Sequence, residues 1–280
     1  MEYRQFGPVK RDVSTIGEGT WYIEQSERGE AISAIKRGLD IGMNHIDTAE
    51  IYGGGRAEKI VGESIEGRRE QVFLVSKVQP GHASRKGTVA ACEGSLSRLG
   101  TDHLDCYLLH WRGSYPLEQT IEAFKELKRD EKIVSWGVSN FDVTDMDEVQ
   151  NIAGKGHLAC NQVLYHLKER SIEREVIPWC EKNGVTVVAY SPFGHGDFPG
   201  PHTKEGRVLE DIAKVHNVTA RQVALCFLTR NPSVITIPKA SSPEHVEENA
   251  GATDFHLTKD EIDVIDKTFP VGRSPGFPPW

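Results

Sequence analysis

The sequence predicts an α/β barrel of eight parallel strand–helix units, and three observations carry that expectation. Eight short apolar runs recur along the chain, and longer amphipathic stretches separate most of them. The runs are near-continuous Val, Ile and Leu, as strands buried on both faces of a parallel sheet should be. No Pro- or Ser-rich linker interrupts the 280 residues, and eight units share them at 35 each, a natural length for one βα unit. The expected fold is a (β/α)8 TIM barrel with a short N-terminal β-hairpin, one domain spanning 1–280. An open doubly wound sheet is the competing arrangement of the same elements.

The elements follow in order. The first 14 residues read as a hairpin capping one end of the barrel. The strand-like runs begin at Thr15, His45, Phe73, Leu104, Val134, Leu158, Thr186 and Val234. Helical stretches are expected over 31–42, 57–67, 88–100, 120–132, 144–153 and 174–184. Several close on a usual helix stop, Gly42, Gly67, Gly100 or Gly184. A Gly/Pro-rich loop with His195 and His202 reads as a mobile lid. Ser242-Pro243 opens a further helix, and Thr258-Lys-Asp-Glu261 is a capping box for a last one.

Composition narrows the function classes. Asp and Glu number 41 against 33 Lys and Arg, a net charge of −8, which argues against broad binding to nucleic acid or anionic membranes. Five cysteines without a CxxC pair read as reduced thiols, and 11 histidines without HExxH spacing suggest no metal site. The start has no apolar signal region, and no run approaches the roughly 18 apolar residues of a membrane span. The expectation is a cytoplasmic protein, a monomer by preference, whose partner is a small molecule. No GxGxxG follows a strand, and no Walker loop or GxSxG elbow is present.

The strand ends carry the strongest signal. They place Asp47, Lys77, His110, Ser139-Asn140, Gln162, Tyr190-Ser191 and Lys239 on one rim, where barrel enzymes build their sites. Tyr52 follows Asp47 in a Gly-rich loop. A phenol is a poor proton donor at neutral pH, but an adjacent ammonium favours its phenolate. Asp47 would keep Lys77 charged and aimed, Lys77 would tune Tyr52, and His110 would add a second hydrogen bond to a substrate oxygen. Singly, each has a plain structural reading: an ion pair for Asp47 and Lys77, a surface aromatic for Tyr52, a packed rim residue for His110. The constellation is what points to chemistry. At the last strand end, Lys239 and His245 flank a capped helix start, a suitable place for a phosphate.

Gly42-MNHIDTAEIYGGG, Phe73-LVSKV, Leu104-DCYLLHW, Gly137-VSNFD, Asn161-Gln162, Val188-AYSPF and Ile237-PKASSPEHVEEN together resemble the aldo-keto reductase superfamily. Bacterial members of the methylglyoxal reductase type are the most alike. The resemblance implies an oxidoreductase that binds NADPH and reduces aldehydes or ketones, small or 2-oxo aldehydes such as methylglyoxal among them. It assigns Tyr52 as proton donor, Lys77 and Asp47 as its tuning pair, and His110 as the group polarising the carbonyl. It assigns Ser139, Asn140 and Gln162 to the nicotinamide carboxamide and Tyr190 to the ring. Ser191 and Pro192 would meet the pyrophosphate, with Gly19, Thr20 and Trp21 also lining the cofactor. Lys239, Ala240, Ser241 and His245 would face the 2′-phosphate, and Glu248 and Asn249 the adenine. Trp21 and Trp111 would line the substrate pocket with Tyr52 and His110.

Two departures from the family pattern matter. Ala240 stands where many relatives have Ser, and His245 where many have the Arg that grips the 2′-phosphate, which leaves NADH possible as a cofactor. The short tail after Phe269 suggests an open site and broad substrates. Two other functions fit a barrel of this kind: a Schiff-base lyase or aldolase using Lys77 or Lys239, and a cofactor-sensing binding module.

Overall fold

In the computed structural model, which describes residues 1–272, the chain enters through an antiparallel hairpin of β1 (Tyr3–Phe6) and β2 (Val9–Ser14). Eight strands then stand side by side in chain order: β3 (Glu18–Gly19), β4 (His45–Asp47), β5 (Phe73–Val78), β6 (Leu104–Leu109), β7 (Ile133–Ser139), β8 (Leu158–Leu164), β9 (Thr186–Tyr190) and β10 (Val234–Ile237). Every neighbouring pair is parallel. The two end strands meet through parallel bridges at Ile16–Thr236 and Gly19–Lys239. Gly17 N donates to the Thr236 carbonyl at 2.8 Å, and Thr236 N to the Thr15 carbonyl at 3.0 Å. These bonds close the sheet into the expected barrel. Gly19 permits the closure, since a Cβ there would lie 2.6 Å from the Ile237 carbonyl oxygen.

The hairpin plugs the N-terminal end. Phe6 and Val13 join Phe73, Val75, Cys106, Leu108, Val188 and Ile235 in the barrel interior. Gly7 makes the turn at φ +50° with its N–H on Thr186 Oγ1 at 2.8 Å, and a Cβ there would sit 2.3 Å from the Ala159 carbonyl oxygen. With that end sealed, the C-terminal rim is where the described residues open a cavity.

Ten helices of the described residues wrap the barrel: α1 (Arg28–Asp40), α2 (Arg56–Ser64), α3 (Arg85–Leu99), α4 (Leu117–Arg129), α5 (Val143–Ala153), α6 (Val176–Asn183), α7 (Lys204–His216), α8 (Ala220–Leu228), α9 (Pro243–Ala250) and α10 (Lys259–Thr268). The expected helices are present with shifted ends. The first four start one to three residues early, because Glu27 and Ser84 cap α1 and α3 upstream of their first apolar residues. The interval after β9 differs more. It holds not only the loop with His195 and His202 but two helices, α7 capped by Thr203 and α8 opened by a Thr219–Gln222 capping box. Most of α8 is apolar and buried against the core, with Arg221 left on its exposed side. The first strand-like run is also shorter than expected, reduced to Glu18–Gly19 with a lone bridge at Ile16.

Among the described residues no helix is long and apolar enough to cross a membrane, and all five cysteines are free thiols. Residues 273–280 of the short tail lie outside the described residues.

Candidate active site

Asp47 is the last residue of β4, and Lys77 lies one residue before the end of β5; both side chains are buried. Lys77 Nζ donates to Asp47 Oδ1 at 2.5 Å, to the Thr48 carbonyl at 2.8 Å and to the Tyr52 hydroxyl at 3.2 Å. All three ammonium donors are therefore used. Gln162 on β8 supplies the other half of the clamp, its Nε2 donating to Asp47 Oδ2 at 2.7 Å.

Tyr52 reaches Lys77 from a tight turn. Gly53, Gly54 and Gly55 follow it at φ +57°, +63° and +85°, a run of left-handed conformations open to glycine at little cost. The turn folds the phenol back over the rim, so that Lys77 Nζ lies 4.8 Å from the ring centroid. His110 follows β6 and meets the Tyr52 ring edge-on, centroids 5.6 Å apart, with Trp111 at 4.9 Å from His110.

Burial dominates the electrostatics. It pushes the Asp47 carboxyl above the ordinary carboxylate range, against the pull of Lys77 and Gln162. It works against the Lys77 ammonium, but Asp47 and Tyr52 outweigh it and hold Lys77 above its ordinary value. For Tyr52 the sequence leads one to expect a lowered phenol. Burial instead raises it, Lys77 pulls it down less strongly, and Asp47 adds a further rise, so Tyr52 keeps its proton above the ordinary 10.0. Burial and then Lys77 push His110 well below 6.5, leaving a neutral imidazole whose buried Nδ1 has no hydrogen-bond partner among the described residues.

Beside this group lies a polar shelf. Ser139 Oγ donates to the Gln162 carbonyl at 2.8 Å, Asn140 Nδ2 donates to the His110 carbonyl at 3.2 Å, and the Tyr190 hydroxyl donates to Asn140 Oδ1 at 2.8 Å. Asn140 sits at φ +61°, which turns its side chain along the rim. A cavity of about 410 Å³ opens over these groups. Its walls include Gly19, Thr20, Trp21, Asp47, Tyr52, His110, Trp111, Ser139, Asn140, Gln162, Tyr190, Ser191, Pro192 and Lys239. Lys77 lies under its floor.

At the far end lie Lys239 and the start of α9. Lys239 Nζ lies 3.2 Å from Ser241 Oγ and 3.5 Å from Ser26 Oγ, and burial lowers its ammonium below the ordinary value while Glu24 and Glu30 offset this. Ser242 caps α9, its Oγ accepting from His245 N at 3.4 Å, with Pro243 as the first helical residue. Ala240, Ser241, His245, Glu248 and Asn249 do not line the cavity. Ala240 packs into the apolar cluster of Ile16, Met43 and Val246, and Asn249 is buried. Glu248 accepts from Thr219 Oγ1 at 2.8 Å.

Six wall residues were not foreseen as site residues: Tyr22, Ile51, Phe193, His195, Gly196 and Ile237. Strand alternation could have found Ile237, two residues before Lys239 and on the same face. His195 reaches the wall because its Nε2 lies 2.9 Å from Ser191 Oγ and its ring meets Trp21 edge-on at 4.8 Å. Nothing in the local sequence marks Tyr22, which sits at φ +63° and stacks on Trp21 at 4.5 Å.

The pattern of the Aldo/keto reductase family matches residues 15–269, and the barrel with its rim agrees with it. The chain belongs to the aldo/keto reductase family. As an aldo/keto reductase it is an oxidoreductase of carbonyl compounds. This aldo/keto reductase is 43% identical over 266 residues to methylglyoxal reductase YeaE of Escherichia coli (strain K12), covering 94% of each. It is 35% identical over 266 residues to glyoxal reductase of Bacillus subtilis (strain 168), covering 93% of this chain and 91% of that one. Its fold superimposes with a TM-score of 0.93 on the crystal structure of an aldo-keto reductase from Klebsiella pneumoniae in complex with NADPH. That relative is 41% identical, with 100% of this chain and 99% of the other covered.

Proposed function

We propose that the protein uses NADPH to reduce small aldehydes, 2-oxo aldehydes such as methylglyoxal among them, with Tyr52 as the proton donor. The observation that carries this reading is Lys77 Nζ held between Asp47 Oδ1 and the Tyr52 hydroxyl under the cavity floor. The likeness to a methylglyoxal reductase and a glyoxal reductase supports the substrate class.

The residues present suit the cofactor. Ser139, Asn140 and Gln162 gather amide and hydroxyl groups of the kind a carboxamide pairs with, and Tyr190 offers a ring beside them. At the other end, Lys239 offers phosphate a cation beside the start of α9, where the helix dipole adds a partial positive charge. NADPH, when bound, supplies the hydride. Tyr52 holds the proton that the carbonyl oxygen takes up, and Lys77 stabilises the phenolate left behind. The neutral His110 ring offers a hydrogen bond to the same oxygen, and Asp47 keeps Lys77 charged. Trp21 and Trp111 exclude water from the substrate side. His245 lacks the planar fork and permanent charge of Arg, so we expect NADH to be accepted as well, at lower efficiency.

Lys77 is unsuited to Schiff-base chemistry, which needs a neutral amine; here it is a fully hydrogen-bonded ammonium. We read the chain as one domain over 1–280, which the single closed sheet among the described residues supports, and five free thiols support a cytoplasmic setting. The test is Tyr52→Phe. Methylglyoxal-dependent NADPH oxidation should vanish while NADPH binding, read by fluorescence, persists. Retained turnover would show that another group donates the proton.

A further inference from the structure

Successive residues of β5 face opposite ways. Lys77 points into the barrel toward Asp47 and Tyr52, and Ser76 points out into the layer between strand and helices. There Ser76 Oγ donates to Glu58 Oε1 at 2.6 Å. Arg98, in the last turn of α3, donates from Nε to Glu58 Oε2 at 2.5 Å and from Nη2 to Ser95 Oγ at 3.1 Å. Glu58 is fully buried, so both carboxylate oxygens depend on these partners.

The same unit touches the turn that carries Tyr52. Glu58 lies in the first turn of α2, which Gly55 opens. A Cβ on Gly55 would lie 2.6 Å from Arg98 Cδ and 2.8 Å from Nε, so the Arg98 side chain runs over the end of the Tyr52 turn. The three glycines after Tyr52 have no side chains with which to hold their own conformation. Backbone bonds such as Gly54 N to the Ile51 carbonyl at 3.1 Å close the turn, and the side-chain anchoring comes from Arg98 and Glu58 at the point where α2 begins. None of Ser76, Glu58 and Arg98 lines the cavity.

We propose that Glu58, held by Arg98, is a positioning residue for proton transfer: it joins the turn bearing Tyr52 to the strand bearing Lys77 and so sets the distance between hydroxyl and ammonium. The proposal rests on the reading of Tyr52 as proton donor. One carboxylate with two partners on different elements has a single satisfied geometry, whereas a triple-glycine turn on its own has many. Loosening the link lets Tyr52 drift from Lys77, and catalysis is sensitive to shifts well under an ångström in such a pair.

Ser76→Ala removes the strand link with the smallest change in shape, and Glu58→Gln keeps the shape while removing the charge. Both are assayed beside wild type and Tyr52→Phe, with activity expressed per folded molecule after thermal denaturation curves. We expect kcat with methylglyoxal to fall about tenfold in each, with NADPH affinity unchanged. The alkaline limb of the rate profile, governed by Tyr52 facing Lys77, Asp47 and His110, should move as well. A merely structural role would lower the melting temperature and leave kcat and that limb where they are. Wild-type kcat and limb in both variants, with Tyr52→Phe inactive, would overturn the positioning role alone. An active Tyr52→Phe would overturn the reading on which it rests.

Discussion

Gln162 Nε2 and Asp47 Oδ2 lie 2.7 Å apart, tying β8 to β4 across the mouth of the barrel. The two residues are 115 positions apart in sequence, and the bond leaves Asp47 with one oxygen on Lys77 and the other on Gln162. The carboxylate that anchors the ammonium is thereby anchored itself.

Gln162→Leu should free one buried oxygen of Asp47. An unsatisfied buried acceptor costs about 1–3 kcal/mol, and a carboxylate stands at the upper end of that range. We expect a drop of that size in denaturant-derived stability, together with a lower kcat. Unchanged stability would mean that the bond contributes nothing net.

Lys77→Met should be worse than any loss of contact suggests, because it strands Asp47 without its counter-charge. Breaking one side of a buried ion pair costs about 3–5 kcal/mol, whereas replacing both partners can be near neutral. Adding Asp47→Asn should therefore restore most of the stability without restoring turnover. Urea melts of the single and double variants give the comparison.

His45 gives the barrel an acid sensitivity unrelated to its chemistry. Its ring lies among Phe6 and Phe73, at centroid distances of 6.0 and 5.8 Å, and neither nitrogen has a partner among the described residues. Burial and then Lys77 lower it from 6.5 to about 3. The unfolded chain thus binds a proton that the folded one refuses, so stability falls as pH drops from 6.5 toward about 3. The slope reaches about 1.4 kcal/mol per pH unit. His45→Phe removes this contribution, and its melting temperature should fall less than that of wild type between pH 7 and pH 5. Parallel melting curves would refute it.

His245→Arg should sharpen the cofactor preference. A hydrogen bond to a charged group contributes about 1.5–3 kcal/mol, and the Arg fork adds a second such bond to phosphate, so the ratio of kcat/KM with NADPH to that with NADH should rise about tenfold or more. Titrating both cofactors against both proteins measures it. An unchanged ratio would place the 2′-phosphate beyond reach of α9.

Much of the architecture could be read from residue patterns, for a physical reason. A parallel strand buried on both faces must be apolar throughout, and β5 and β6 are buried at every residue, so their runs stand out. Helices α7 and α8 are less legible because they follow the Gly/Pro-rich stretch around 194–201, which reads as loop, within a single interval between two strands. Of the site, the residues at strand ends were legible because strand ends converge on one rim. The wall residues from loops were not: Tyr22 and His195 reach the cavity through backbone turns at φ +63° and +51°.

The strand-like runs and the polar residues at their ends, Asp47, Lys77 and His110 with Tyr52 close after Asp47, are legible in the sequence alone, because periodicity and strand-end position are local. Three matters were left to tertiary structure. One is that the phenol of Tyr52 is raised, for desolvation depends on everything packed around it. Another is that Ala240, just before α9, packs into an apolar cluster and Asn249 of α9 is buried, with both of them, His245 and Glu248 off the cavity wall. The last is the partnership of Ser76, Glu58 and Arg98, three polar residues on separate elements that no spacing connects. Burial and pairing across elements are sums over distant chain segments, and only the closed barrel carries them out.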